Sequence, residues 1–477
     1  MKTDSSRFAG FPLFHAWRLL VIVCLAIVCL GSACVMNCLA QESRSNEARQ
    51  RAVLTTEKLI GNAVSLANRD YPEIDSAIRR FRNNDFQGAM EYLKQAKEKY
   101  PKLPPTNVTM AKMQLAARNS KAVRFLLERA VVEHPDDPEA FLLLADQAFM
   151  GGRITESQAL FEMVDPLVQK FDENQRRKKN FVIRVIAGRS AVAERRQQWD
   201  QAYELLNKWI EVDPDSAAAH QRLGVTLFRL KKSRKSLDEF TKARELNPDV
   251  AHPFVILGQL FSQDDDKVKA KKAYERAYQE DKSNAKVAQA YVEWLIQEGE
   301  LDQAQAVAAT LREQSPDSVI ALLLDGIVAQ MQGNAERAEQ SLTKILTLDP
   351  SNAMARNILA LLLIESDNDA DRERALRHAQ MNAERFEKSV HANITLGWVL
   401  YKLERGSEAQ AALQKGAQSG QLQTDSAYLV AKILSGQEGQ KENATRTLEQ
   451  VLKQKKGLFL FRRDAEKLLA ELKAKSN

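Results

Sequence analysis

Histidine and clustered aspartate are the side chains of this sequence that could bind a metal ion or transfer protons. Asp264, Asp265 and Asp266 fall in a predicted turn between two helices, where acidic side chains more often cap the following helix than bind metal. His220 and His252 lie near the same phase of a repeat described below, and we expect both to be polar residues at or near the surface. No two histidines are spaced as a ligand pair on one helix face; the six are His15, His134, His220, His252, His378 and His391.

Signatures of common enzyme classes are missing from the sequence. It contains no Gly-rich phosphate loop, no Gly-x-Ser-x-Gly, no His-Glu-x-x-His and no calcium loop with a bidentate Glu at the required spacing. We therefore predict that the chain is not an enzyme and has no catalytic, metal-binding or cofactor-binding residue. A catalytic protein whose site follows no known motif is the alternative.

A basic cluster is the strongest local concentration of charge. The segment from position 176 to 196 contains eight Lys and Arg residues and one acidic residue, Glu194. One interpretation is a patch for an anionic partner, such as a membrane surface or an acidic protein segment. The other is the solvated face of a long helix, since no aromatic residues are interleaved to stack on nucleic-acid bases. The candidate patch residues are Arg176, Arg177, Lys178, Lys179, Arg184 and Arg189.

The composition favours a folded, all-helical protein. Of 477 residues, 44% are hydrophobic, 28% are charged and only 7% are aromatic. Ala, Leu, Gln, Glu, Lys and Arg predominate, and these residues are favourable in helices. The formal net charge is +6 for the chain and +4 after Ala40, which is too small to indicate a nucleic-acid partner.

The first 40 residues have the pattern of an export signal. Three basic residues precede an apolar run from Leu19 to Leu30, and small residues follow it. The favoured interpretation is a signal peptide cleaved between Ala40 and Gln41. All four cysteines, Cys24, Cys29, Cys34 and Cys38, lie in this segment, so the exported body would contain no disulfide.

Two alternatives to cleavage stay open. The residues before Cys34 resemble a bacterial lipobox, although its Leu stands one position too far away. The apolar segment 19–40 is also long enough to remain as a membrane anchor. In all three cases the basic residues hold the N-terminus inside and the body is exported, which predicts a location in the periplasm or cell envelope.

A 34-residue period runs through the rest of the chain. Small residues recur at this spacing in the series Ala202, Ser236, Ala270, Ala304 and Ala338. Prolines mark the same period in pairs, namely Pro101 and Pro135, Pro214 and Pro248, and Pro316 and Pro350. A fixed period of this length indicates a repeat architecture rather than separate globular domains.

The residues within one period resemble the tetratricopeptide repeat. The clearest unit has Leu223, Gly224 and Leu227 in a first helix, Ser236, Phe240 and Ala243 in a second, and Pro248 at the turn into the next unit. The resemblance covers about residues 70–457. It implies an all-α, right-handed solenoid of about eleven helix-turn-helix units, in which each unit buries its apolar face against its neighbours.

The phase of the repeat gives the expected organisation. It breaks twice, because Ser157 to Ala202 spans 45 residues and Ala338 to Ala375 spans 37; each break predicts an inserted loop or a lengthened helix. The predicted regions are a signal peptide or anchor (1–40), an N-terminal helical segment (41–69), units 1–3 (70–164), a basic insertion (165–180), units 4–8 (181–352), unit 9 with a short insertion (353–388), units 10–11 (389–457) and a C-terminal capping helix (458–477).

The resemblance also implies where partners would bind. In this family the first helices line a concave groove that holds peptides of partner proteins. The corresponding positions near the C-terminal half form an unusually apolar stripe, made of Leu323, Ile327, Asn357, Leu361, Ile394, Trp398 and Tyr401. This stripe either accepts a partner's helix or aromatic side chain, or packs against neighbouring helices.

The sequence thus predicts a non-catalytic, exported scaffold of bacterial type that binds other proteins or peptides through its groove. A regulatory or recruiting subunit of an envelope enzyme, active in cell-wall or glycan metabolism, is the main alternative. Attachment to the membrane would occur through the N-terminal segment. Neither a nucleic acid nor a small-molecule substrate is expected.

Overall fold

The computed structural model describes residues 54–66, 69–422, 424–454 and 458–474, and their regular elements are all α-helices. The all-α prediction is therefore confirmed. The predicted signal cleavage at Ala40 and Gln41, the lipidation at Cys34 and the anchor 19–40 lie outside the described residues. Within the described part, no helix combines the length and apolar character needed to cross a membrane.

The chain divides into two compact units, with the boundary between Leu260 and Phe261. In the first unit a short helix precedes pairs of antiparallel helices joined by tight turns. Its helices are α1 (Thr56–Ile60), α2 (Pro72–Arg82), α3 (Phe86–Lys99), α4 (Thr106–Ala116), α5 (Ser120–Glu133), α6 (Pro138–Met150), α7 (Ile154–Lys170), α8 (Gln175–Arg195), α9 (Trp199–Val212), α10 (Ala217–Arg229) and α11 (Ser233–Leu246).

Helix α12 (Pro253–Gln263) contains the boundary, and the second unit continues the same alternation. Its helices are α13 (Lys267–Glu280), α14 (Ala285–Glu298), α15 (Leu301–Gln314), α16 (Val319–Met331), α17 (Ala335–Leu348), α18 (Ala353–Leu363), α19 (Asp369–Arg385), α20 (Val390–Lys402), α21 (Gly406–Ser419), α22 (Thr424–Ser435), α23 (Lys441–Leu452) and α24 (Arg462–Ala474). Helices α2 to α23 form eleven helix pairs in the described residues, the number that the repeat predicted.

Sequential packing of these pairs gives the α-solenoid that the sequence predicted. The first helix of a pair packs against its second helix, and the second packs against the first helix of the next pair, as in α16, α17 and α18. First helices of neighbouring pairs also contact each other, as α20 does with α22. Within each unit, we call the side formed by the even-numbered first helices the first-helix surface (α2–α10 in the first unit and α14–α22 in the second). Helix α24 packs against α22 and α23, within the segment that the sequence analysis assigned to a capping helix.

The turn inside a pair depends on one residue in the left-handed backbone region. Gly299 and Gly333 fill this position at two turns where the sequence predicted a glycine. Asp265 fills it between α12 and α13, and the next residue, Asp266, caps α13 by accepting a hydrogen bond from the Lys269 backbone N–H at 3.1 Å. The aspartate run at 264–266 is therefore a helix start, as expected.

Close contact between helices explains the small residues of the repeat. Gly224 in α10 lies against the ring of Phe240 in α11, and a Cβ atom at position 224 would come within 2.5 Å of that ring. Phe240 is completely buried, as are Ala202 and Ala270 in the same series. The packing of a pair therefore needs a small residue opposite a large one.

Lengthened helices account for both breaks in the repeat. Helix α7 has 17 residues and α8 has 21, against 13 or 14 in most other helices of the array, and the segment 165–180 belongs mainly to their ends. Helix α19 likewise has 17 residues. The N-terminal segment differs from its prediction, because in its described part only Thr56–Ile60 is helical and the following residues turn at Gly61 and Asn62.

Substitution of Gly224 by Ala tests this packing rule. The added methyl group must displace the buried ring of Phe240, so we expect a loss of about 1–3 kcal/mol in the free energy of unfolding. The matched control is Gly406→Ala, because a Cβ atom there meets no atom within 4 Å. Thermal unfolding followed by circular dichroism measures both variants, and equal melting temperatures would contradict the packing argument.

Candidate functional site

The basic cluster of the sequence lies on α8, and its central member is buried. Arg177 is 1% exposed, and its Nη2 atom lies 2.7 Å from Asp137 Oδ2 and 2.8 Å from Glu139 Oε2. The guanidinium group also lies 5.2 and 5.0 Å from the ring centroids of Phe171 and Phe181. Arg177 therefore holds α8 to α6 and presents no charge to a partner.

Glu139 is the acidic centre of the same network. It is fully buried between the cations of Arg177 and Lys112 and accepts a hydrogen bond from Asn62 Nδ2 at 3.2 Å. Burial alone would raise the pKa of this carboxyl group, but the charges of Lys112 and Arg177 outweigh it and lower the pKa to about 2. The network is thus ionised and charge-balanced, which is required of a stable buried ion pair.

Most of the remaining patch is also neutralised within the chain. Arg184 pairs with Asp146, and Arg189 Nη1 lies 2.7 Å from Asp165 Oδ2. Lys178 Nζ donates to the Gln169 carbonyl at 2.9 Å. The candidate patch comprised Arg176, Arg177, Lys178, Lys179, Arg184 and Arg189; carboxylates from α6, its N-cap and α7 pair with three of them, Arg177, Arg184 and Arg189. A role toward anions stays a prediction for exposed Arg176 and Lys179.

The predicted apolar stripe is mostly interior. Leu323, Ile327, Asn357, Leu361, Ile394 and Trp398 are each at most 6% exposed. They pack between helices of the array, and Asn357 Oδ1 accepts a hydrogen bond from Asn382 Nδ2 at 2.6 Å. Of the two interpretations left open by the sequence, burial favours packing against neighbouring helices for these six side chains.

Tyr401 is the member of the stripe that reaches solvent, with 37% exposure. Its ring stacks on Trp398 at 6.0 Å and lines a cleft of about 560 Å³. Lys402 Nζ lies 2.9 Å from Glu365 Oε2 across this cleft, and Arg372 donates to the Lys402 carbonyl at 2.7 Å. The other lining residues include Ile364, Ser366, Asp367, Glu404 and Gly406. The cleft offers one aromatic face and charges of both signs.

Two of the histidines hold together neighbouring elements. His220 Nδ1 lies 2.6 Å from Glu239 Oε2, and its Nε2 lies 3.1 Å from the Pro214 carbonyl. His391 Nδ1 lies 2.8 Å from Ser426 Oγ, and burial lowers the pKa of this imidazole to about 4. Across the described ranges, no three His, Cys, Asp or Glu side chains form a group that could hold a metal ion.

A segment that the sequence assigned only as further helix lies on the first-helix surface of the first unit. Residues 54–66 contact α2, α4, α6 and α8, and Leu59 and Ile60 are buried there. In the sequence, the adjacent aliphatic residues Leu59 and Ile60 were the one indication that this segment is buried. Two residues are too few to show which surface the segment covers.

At the other end of the chain, the segment before α24 covers the start of α22. Asp425 Oδ1 accepts a hydrogen bond from the Phe461 backbone N–H at 3.3 Å, and the Phe461 ring stacks on Tyr428 at 5.1 Å. Burial raises the pKa of the Asp425 carboxyl group to about 7, although hydrogen bonds from the Phe461 and Leu460 backbones oppose the rise. The cap therefore rests on a carboxyl group that titrates near neutral pH.

Removal of Arg177 tests the buried network. Arg177→Ala leaves Asp137 and Glu139 without their shared cation, so we expect a loss of about 3–5 kcal/mol in the free energy of unfolding. Exposed Arg176, the preceding residue, is the matched control, and Arg176→Ala should change stability by less than about 0.5 kcal/mol. Denaturant unfolding measures both. Equal small effects would mean that the network contributes little to stability.

Titration of Asp425 gives a pH dependence with a definite sign. Its pKa in the folded chain, about 7, exceeds the value of about 3.9 expected when unfolded, so its contribution to stability is full below pH 4 and is lost as the pH rises to 7. Asp425→Asn keeps an acceptor oxygen and cannot ionise. We expect the variant to equal the wild type near pH 4 and to gain stability over it by a few kcal/mol at pH 8.

Denaturant unfolding at several pH values measures this difference. The control is Asp215→Asn, the same substitution at an exposed position of the first unit. A constant difference between Asp425→Asn and the wild type would show that folding does not raise the pKa of this carboxyl group.

Comparison with known proteins gives one matching family model. The model described as tetratricopeptide repeat matches residues 80–146 and 263–325. A relative from Xenopus laevis, tetratricopeptide repeat protein 37, is 26% identical over 152 residues, which is 30% of this chain. The match spans only about a tenth of that relative's length.

Solved structures with a similar succession of helices include yeast Tom70, with a TM-score of 0.38 and 14% identity over 85% of this chain and 96% of that chain. The APC/C hetero-tetramer Cut9-Hcn1 has a TM-score of 0.37 and 13% identity over 89% of this chain and 87% of that chain. Neither likeness bears on function. The tetratricopeptide repeat model thus matches two separate segments of the chain, and the helix pairs of the described residues have the helix-turn-helix arrangement that this repeat implies.

Proposed function

We propose that the chain is a non-catalytic, exported scaffold that binds other proteins in the periplasm or cell envelope through its first-helix surface. Tetratricopeptide repeat proteins generally mediate protein–protein interactions, because stacked helix pairs present a long surface for peptides. The basic, apolar and small residues of positions 1–40 support export. The proposal includes a bacterial origin of the signal and its cleavage after Ala40.

The cleft beside Tyr401, at the C-terminal end of first helix α20 and between the turns that follow α18 and α20, is the observation that carries the binding role. An exposed tyrosine next to a buried tryptophan gives a partner side chain a flat apolar face on a rigid support. The Lys402–Glu365 pair at the rim supplies both a donor and an acceptor for a partner's polar groups. Tyrosine anchors of this kind often contribute a large share of binding energy at interfaces.

Tyr401→Ala in the full chain tests this role. The ring is 37% exposed, so its loss should lower the melting temperature less than the loss of Trp398 does, and it should weaken partner binding about tenfold, or about 1.4 kcal/mol. Trp398→Ala should instead cost about 3–5 kcal/mol of folding free energy, because that ring is buried. Crosslinking in envelope fractions followed by affinity capture measures the partners retained by each variant.

Leu348→Ala is the matched control, since Leu348 is an exposed apolar residue on another helix. It should retain the partners of the wild type. Capture of the same partners by Tyr401→Ala would remove the cleft from the binding site, and absence of the chain from envelope fractions would contradict the location. Recovery of one enzyme at a fixed ratio would favour a dedicated enzyme subunit over a general scaffold.

A further inference from the structure

The first-helix surface of the first unit already holds a peptide, namely residues 54–66 of the chain itself, which we call the resident segment. Leu59 and Ile60 are at most 1% exposed and belong to the same apolar core as Ile74 of α2 and Val108 of α4. The surface therefore has a pocket that accepts two adjacent aliphatic side chains from an element outside the helix pairs.

Side chains of the surface donate hydrogen bonds to main-chain carbonyls of the resident segment. Arg82 Nη2 donates to the Leu54 carbonyl at 2.8 Å, and Lys112 Nζ donates to the Leu59 carbonyl at 3.2 Å. Asn180 Nδ2 donates to the Asn62 carbonyl at 3.1 Å.

Asn174, the N-cap of α8, donates through Nδ2 to the Ala63 carbonyl at 2.8 Å. Four side chains from α2, α4 and α8 with its N-cap therefore donate to main-chain carbonyls of the resident segment. Because every peptide carries carbonyl groups, this part of the recognition does not depend on sequence. The aliphatic pocket supplies the selectivity.

The resident segment is weakly built by itself. Its helix α1 has only five residues, and a helix that short is unstable without tertiary contacts. It precedes the first helix pair, so among the described elements none has to be unthreaded when it leaves the surface. The surface left behind would expose an apolar pocket, while Lys112 would keep Glu139 and Asn174 would keep the Lys102 carbonyl as acceptors; burial of the exposed apolar surface therefore favours refilling by a similar peptide.

We propose that this surface is a peptide-binding site and that the resident segment is an exchangeable occupant. The partner is a protein segment with two adjacent aliphatic side chains and accessible main-chain carbonyls, which displaces residues 54–66. This inference rests on the proposed role in protein binding and specifies the ligand of one surface. Occupation by the resident segment keeps the site closed until such a partner is present.

A fluorescent peptide with the sequence of residues 54–66 is the probe. The full chain carrying Leu59→Asp and Ile60→Asp cannot bury its own segment and should bind the probe at least tenfold more tightly than the wild type does. Fluorescence anisotropy measures both. A probe with the same two aspartates should not bind, and adding Asn180→Ala to the chain should weaken binding severalfold.

The matched control is the full chain with Phe125→Asp and Val132→Asp, two exposed apolar residues of α5 in the same unit. It should behave as the wild type. A Leu59→Asp and Ile60→Asp chain that keeps the wild-type circular dichroism but does not bind the probe would overturn the proposal. If the wild-type chain forms dimers by exchanging residues 54–66, the occupant of the site is a second copy of this chain. That result would overturn the proposal that the site binds a segment of another protein.

Hydrogen exchange of the unmodified chain keeps the proposal testable if the double variant does not fold. The amides of residues 59–63 should exchange at least a hundredfold faster than those of α4, because the resident segment opens on its own. Equal protection of the two would show that the segment is a fixed part of the core and overturn the proposal. Both measurements use purified chain, so a failure to capture envelope partners would leave their results unchanged.

Discussion

Every helix pair in this protein depends on the close approach of two helices at a small residue. Gly224 against Phe240, Gly326 against Leu342 and Gly397 against Leu413 repeat the same contact in successive parts of the chain. In each, the side chain of the second helix fills the space that the glycine leaves open. The pair cannot bury this face alone, so its outer side is covered by the next pair. Sequence period, helix length and stacking all follow from this contact.

Much of the fold could be predicted because this contact leaves a periodic trace in the sequence. The regular spacing of small residues (Gly, Ala and Ser) and large ones (Phe, Tyr and Leu) predicted the number of helix pairs and the positions of both breaks. The sequence alone did not decide whether each break is a loop or a longer helix. That choice depends on whether the added residues can pack. In α8 they do, because Phe181 and Val185 continue its buried face.

The candidate site was less predictable, since burial of a side chain depends on elements distant in sequence. The apolar stripe was correctly placed on first helices, but only Tyr401 reaches solvent; the others are covered by neighbours whose positions the repeat does not specify. The basic cluster likewise had no acidic partners nearby in the sequence. Its partners, Asp137, Glu139 and Asp146, lie some 40 residues earlier on α6 and its N-cap. A count of charges along one helix cannot include such partners.

The few long-range contacts change how each unit should behave as a polymer. An array whose members touch only their neighbours can unwind from its ends one pair at a time. Asn180 with Asn62 and Arg463 with Gly299 join residues 118 and 164 positions apart, each within one unit. Such contacts close large loops, which raises the contact order and slows folding. In the second unit the Arg463 contact joins α24 to the turn between α14 and α15, so that a pull on α24 is shared by the helix pairs between them.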